Sequence, residues 1–323
     1  MYNLGVNLKE DIDMKLVTLK NCDYTATINL SRGANCISLR NERYNAKILR
    51  EPDYSKGELD NPYLYGMPIL FPVNRISGGQ FEFEGRTYRF PINEEKTGCH
   101  LHGMIHQEEF KVLEEAENRV LCVYKADKSH PYLEFPHEFE IRMEYILDEK
   151  GLTHKVEVVN HSKENMPLMI GFHTTFNIAF AGDGEVVAKA VISEEYERNM
   201  AVNYLPTGNK PTFDSVSKAL NAGEFSVRSQ PVSRHYRASD KGSLELYNKD
   251  KRLKMVYEND EKYAFRLIYN GKADEYICLE PQTCLANAPN SQFSRDEAGF
   301  KYIESGASMS FISRIYLQCT KEN

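Results

Sequence analysis

Hydrophobic and polar residues alternate along most of this chain, and the period is two. In Phe139-Glu-Ile-Arg-Met-Glu-Tyr145 every odd position is apolar and every even one charged, the pattern of an antiparallel strand with one dry face and one wet face. The same rhythm runs through Ala26–Leu30, Phe81–Phe83, Val120–Tyr124, Leu253–Tyr257 and Phe265–Tyr269. Turn residues separate these segments: Glu84-Gly-Arg86, Asp148-Glu-Lys-Gly151, Asn248-Lys-Asp250 and Asn270-Gly271. Helical spacing is confined to one short stretch after Asp214, through Val216 and Leu220, which reads equally well as an irregular loop. Many strands with almost no helix predict an all-β sandwich or barrel. No composition shift, linker or internal repeat divides the chain, so residues 1–323 are expected to form a single large domain.

Composition narrows the function classes. Hydrophobic residues make up 41% of the chain, ample for a core, and the formal charge is −7. An acidic protein lacks the positive field that draws phosphate backbones, which argues against nucleic acid and, equally, against anionic membrane surfaces. Met1–Glu10 contains no apolar leader segment. The longest uncharged run lies between Glu164 and Asp183. It includes Pro167, His173 and Asn177, so it reads as buried strand rather than a membrane span. Seven cysteines, odd in number and without CxxC spacing, suit reduced thiols in a cytoplasmic protein.

Four clusters hold candidate chemistry: Gly66-Met-Pro-Ile-Leu-Phe-Pro-Val-Asn74-Arg75-Ile-Ser-Gly-Gly79, Gly98-Cys-His-Leu-His102-Gly103 with His106, Ile170-Gly-Phe-His173-Thr-Thr-Phe-Asn177, and Ile277-Cys-Leu-Glu280-Pro-Gln-Thr283. Arg75 before a Gly-Gly turn reads either as a hairpin salt bridge or as a fixed fork of donors. His100, His102 and His106 read either as turn and core residues or as a metal set. His173 lies among apolar neighbours, where an imidazole must be paired or used. Glu280 sits between Leu279 and Pro281, and a carboxylate buried there needs donors or a raised pKa, either of which suits a general base.

Taken together the clusters resemble the aldose 1-epimerase (galactose mutarotase) family. The match runs from about Gly66 to the C-terminus and is carried by Asn74-Arg75-Ile-Ser-Gly-Gly79, Leu101-His102-Gly103, Phe172-His173-Thr-Thr-Phe-Asn177 and Cys278-Leu-Glu280-Pro-Gln, with Leu205-Pro-Thr-Gly208 in addition. The resemblance implies a large β-sandwich that binds a sugar in a cleft on one sheet and interconverts its α and β anomers. It implies Glu280 as general base, His173 as general acid, and Asn74, Arg75 and His102 as holders of the sugar hydroxyls, with no cofactor and no metal. The expected partner is a small-molecule aldose.

One stretch departs from the family pattern. Where an aspartate is usual, this chain has Val232-Ser-Arg234-His235-Tyr236-Arg237. Either arginine lining the cleft would suit a phosphorylated or acidic sugar; both on a solvated loop would leave free sugars as the expectation. A non-catalytic sugar-binding protein would need the polar pocket but neither acid nor base. A cupin-like metal enzyme is faintly echoed by His100, His102 and His173, but the acidic ligand is misplaced.

Overall fold

The computed structural model describes residues 14–56, 59, 61–239 and 243–320. The predicted strands form where the alternation placed them. Phe139–Asp148 and Gly151–Asn160 make a hairpin in which Ile141 faces Val158, Met143 faces Val156 and Tyr145 faces His154. These side chains are all buried. On the solvent face Glu144 meets Lys155, with Nζ 3.0 Å from Oε2. Cross-strand pairs of this kind, apolar on one face and opposite in charge on the other, fix the register.

Among the described residues this hairpin belongs to a nine-stranded antiparallel sheet that also contains Ser308–Cys319 and Leu253–Asn259. A seven-stranded sheet runs in the order Ile192–Tyr196, Ser233–Ala238, Phe265–Tyr269, Tyr276–Gln282, Gly171–Phe172, Ile69–Leu70, with Thr175–Asn177 also paired to Tyr276–Gln282. The two sheets meet face to face through aromatic contacts. Phe172 meets His154 with ring centroids 4.8 Å apart, Phe176 meets Tyr257 at 5.6 Å, and Thr174 Oγ1 lies 3.1 Å from the Tyr257 hydroxyl. This is the expected all-β sandwich. The stretch after Asp214 resolves as a helix, Ser215–Ala222: Asp214 caps it by accepting from Ser217 N, and Gly223 ends it in a left-handed turn.

Tyr276–Gln282 is buried at every position, which explains why its sequence shows no alternation. Its inward side chains Ile277 and Leu279 join the core between the sheets, so Cys278, Glu280 and Gln282 occupy the opposite face. The uncharged run from Glu164 to Asp183 supplies that strand's neighbours Gly171–Phe172 and Thr175–Asn177, as its lack of charge suggested.

His154 is fully buried and neither ring nitrogen has a hydrogen-bond partner. It stacks on Tyr145 at 4.4 Å. Burial lowers its pKa to about 3 from the ordinary 6.5, so the unfolded chain takes up a proton that the folded one refuses. Stability therefore falls as pH drops below about 6.5, by about 1.4 kcal/mol per unit for this group. Denaturant midpoints of wild type and His154→Leu between pH 7 and 4 should diverge from parallel by that slope. Parallel curves would show that the imidazole is charged in the fold.

Candidate functional site

The open face of the seven-stranded sheet carries His173 and Glu280, and neighbouring turns bring Asn74, Arg75 and His102 to it. Gly171 pairs with Gln282 and Thr175 with Cys278, and the same register carried through the residues between sets His173 opposite Glu280. Phe172 and Thr174 point into the sandwich, so His173 points out of it. Main-chain bonds hold this segment on both sides: His173 N donates to Pro68 O at 3.0 Å, Thr175 N to Gly66 O at 2.9 Å, and Leu279 N to Thr174 O at 3.0 Å. His173 Nε2 lies 3.2 Å from Glu280 Oε1, with Glu280 fully buried. The contact falls short of hydrogen-bond alignment, and Oε1 has no other partner. Gln282 Nε2 donates to the second oxygen, Oε2, at 3.0 Å.

Asn74 and His102 reach the same place from neighbouring turns, both with a left-handed backbone (φ 63° and 64°). His102 N donates to Asn74 O at 3.0 Å, and Asn74 Nδ2 donates to Gln282 Oε1 at 3.2 Å. The His102 ring meets His173 edge-on at 5.5 Å, and Tyr63 packs against both, at 4.8 and 6.0 Å. Arg75 lies over the Tyr204 ring at 4.5 Å. Its fork is already engaged: Nε and Nη2 donate to the two oxygens of Glu94 at 2.6 and 2.7 Å. Burial would raise the Glu94 carboxyl, but the bonds from Arg75 and Thr97 hold it below its ordinary value. The charge of Arg75 is therefore matched within the protein.

Burial governs the electrostatics of the rest. It raises the Glu280 carboxyl to about 8, against the opposing pull of the Gln282 bond and the charges of Arg198 and Arg75. Burial, with Arg75 adding a like charge, lowers His173 to about 4. His102 is depressed well below 6.5, first by burial and then by His173 and Arg75. At neutral pH the pair thus holds one proton, on the carboxyl, facing a neutral imidazole. A carboxyl and an imidazole this close, with one proton between them, are able to give and take protons at a bound ligand.

The departure from the family pattern resolves differently from either expectation. Arg234 and Arg237 sit on the strand Ser233–Ala238, not on a loop. Arg234 points to the far face of the sheet, where it pairs with Glu195 at 2.5 Å and Asp214 at 2.9 Å. Arg237 is committed to Glu194 at 3.3 Å, the Tyr196 hydroxyl at 3.2 Å and the carbonyl of Glu297 at 2.6 Å. Neither offers a free charge to the cleft. The three histidines considered as a metal set do not converge: His100 turns its Nδ1 to Pro91 O at 2.7 Å, while His106 packs on Tyr63 at 4.6 Å. Among the described residues the group spaced to hold a metal is His173, Cys278 and Glu280, with ligand atoms within 4.8 Å of one another. Burial raises the Cys278 thiol well above its ordinary value, so it stays protonated and is a poor ligand.

Sequence reasoning missed Arg198, Glu94 and Tyr63. Arg198 lies in Glu194-Glu-Tyr-Glu-Arg198, which reads as a solvated charged stretch. It is instead 8% exposed, with Nη2 donating to Ser233 Oγ at 2.7 Å. Gln282 was visible within the motif, and its spacing of two from Glu280 on a strand was the available signal.

Gly103 fixes His102. Its φ is +64°, and a Cβ there would lie 1.8 Å from Phe71 O, which is main chain and cannot swing aside. Gly103→Ala should cost at least about 2 kcal/mol, from the left-handed backbone and the clash together. A chemical denaturation curve within about 0.5 kcal/mol of wild type would show that the turn can rearrange.

Comparisons with known proteins bear on the family and the fold. The family model for aldose 1-epimerase matches residues 15–314. A galactose mutarotase-like protein from Clostridium acetobutylicum superimposes with a TM-score of 0.88 at 30% identity, covering 95% of this chain and 96% of that one. A galactose 1-epimerase from Lactobacillus acidophilus shares the fold with a TM-score of 0.67 at 12% identity, over 94% of each chain. An uncharacterised Escherichia coli protein, YihR, is 22% identical over 280 residues, 85% of this chain and 86% of its own length.

Proposed function

Since the chain belongs to the aldose 1-epimerase family, we propose that its cleft interconverts the α and β anomers of an aldose by opening and reclosing the ring. The observation that carries this reading is the buried contact of 3.2 Å between His173 Nε2 and Glu280 Oε1. Ring opening needs a proton to leave the anomeric hydroxyl while another reaches the ring oxygen. Glu280 as the carboxylate takes the first and His173 as the imidazolium gives the second, so neither step builds a full charge on the sugar.

The resting pair holds its proton on Glu280, so the working arrangement is the other tautomer. Hydrogen bonds from the anomeric hydroxyl to the carboxylate favour that tautomer once sugar is bound. Rotation about C1–C2 then presents the other carbonyl face, and closure returns both protons. Arg75 keeps one guanidinium nitrogen, Nη1, free of Glu94, and with Asn74 and His102 it holds ring hydroxyls. Tyr63 and Tyr204 supply the apolar surface that a sugar face stacks on, in a chain without tryptophan.

NMR exchange or polarimetry on freshly dissolved aldoses tests the reading. Anomers equilibrate spontaneously, so the quantity of interest is the rate above buffer. At least one aldose should show an excess proportional to protein concentration. Saturable sugar binding without any excess rate would make this a carbohydrate-binding protein instead.

A further inference from the structure

We propose that Arg198 sets the specificity of this cleft, selecting an aldose that carries a carboxylate or phosphate at the end of the ring remote from C1. The proposal rests on the anomer-interconverting reading above. Among the described residues Arg198 forms no ion pair, and its one side-chain hydrogen bond runs to the neutral Ser233 Oγ. The guanidinium is nonetheless buried, and burial with the like charge of Arg75 lowers its pKa to about 10 against the opposing pull of Glu280. A buried charge without an ion pair is costly, and an anionic ligand would supply the match.

Its place in the sheet defines what that ligand must span. Ser233 pairs with Tyr269 and Tyr269 with Cys278, the residue two before Glu280 on the same face. Two strand spacings, about 10 Å, therefore separate the anchor of Arg198 from the strand bearing Glu280. A pyranose with its exocyclic substituent bridges such a gap. Glu280 pulls on Arg198 from a distance but forms no ion pair with it, and burial raises its carboxyl to about 8. The other arginines of this region are spent: Arg75 on Glu94, Arg234 on Glu195 and Asp214, Arg237 on Glu194. A sugar hydroxyl on Arg198 would leave the charge unmatched. An oxyanion accepts a charge-assisted bond from it, roughly twice as strong as a neutral one.

The test measures kcat/KM for a free aldohexose, its uronate and its 6-phosphate, in wild type, Arg198→Gln and Arg198→Lys. Wild type should prefer one of the two anionic sugars over the free hexose by about 10- to 100-fold, and the better anion identifies the group. Arg198→Gln should collapse that ratio to near unity, chiefly through KM, while Arg198→Lys, which keeps charge but loses the fork, should fall between. A wild-type ratio near unity, or equal losses on neutral and anionic sugars in Arg198→Gln, would overturn the proposal while leaving anomer interconversion intact. If no aldose is turned over above buffer, the reaction assigned to the cleft fails instead. Calorimetric titration with uronate and sugar phosphate then decides on Arg198: anion-selective binding lost in Arg198→Gln sustains its role, and absent or unchanged binding ends it.

Discussion

Glu280→Gln is expected to lower kcat/KM for the catalysed anomer exchange by about 10²–10⁴-fold, the usual worth of a positioned general base. Sugar binding should survive in large part, because the amide keeps the shape of the carboxyl and still accepts from Gln282 Nε2. The same variant carries a second, opposite signature. Burial holds the wild-type carboxyl protonated up to about 8, against an ordinary value of 4.5. The unfolded chain therefore releases this proton earlier than the folded chain, and wild type loses stability as pH rises from 4.5 to 8. The amide has no proton to lose, so Glu280→Gln should melt higher than wild type at pH 8 even as it loses its rate. Near-wild-type mutarotation in the variant would remove Glu280 from the chemistry. An unchanged melting temperature at pH 8 would show that the carboxyl is solvated.

The second large effect is the pH profile, and its sign inverts in one variant. The proposed catalytic pair holds a single proton, so efficiency should be broad and bell-shaped, falling below about 4 as His173 gains a second proton and above about 8 as the last is lost from Glu280. These limbs belong to the coupled pair rather than to either residue alone. His173→Asn removes the acid and should cost about 10²-fold or more. What remains depends on Glu280 as a bare base, so the residual rate should rise with pH through about 8, where wild type falls. A residual profile that still declines there would show that another group donates the proton.

The catalytic candidates were legible because burial leaves a mark in sequence. His173 and Glu280 stand out as titratable groups among apolar neighbours, and the sandwich was legible from alternation alone. The match of the clusters to one family then supplied roles for Asn74, Arg75 and His102. Illegible was what depends on cross-strand register. Arg198 looked solvated because its neighbours Glu194 and Glu197 are charged, yet Tyr196 pairs with His235 and, two residues on, the Arg198 guanidinium is buried against Ser233. Arg234 and Arg237 looked alike, yet with two intervening residues they fall on opposite faces of one strand. Glu94 lies 19 residues from Arg75, and nothing in the intervening sequence announces that the fork is already filled.

His173 is pinned through the main chain by Pro68 on one side and, through its neighbours, by Gly66 and Leu279. With its backbone fixed and its ring packed against Tyr63 and His102, His173 as the proposed acid cannot swing from one sugar face to the other. On the proposed mechanism the moving part is then the substrate: during each turnover the open-chain aldehyde would pivot while the protein stays still. Slack is needed around C1 and grip around the far hydroxyls, so tightening the cleft near His173 would trap one anomer. Such a protein would bind sugar better and turn it over less.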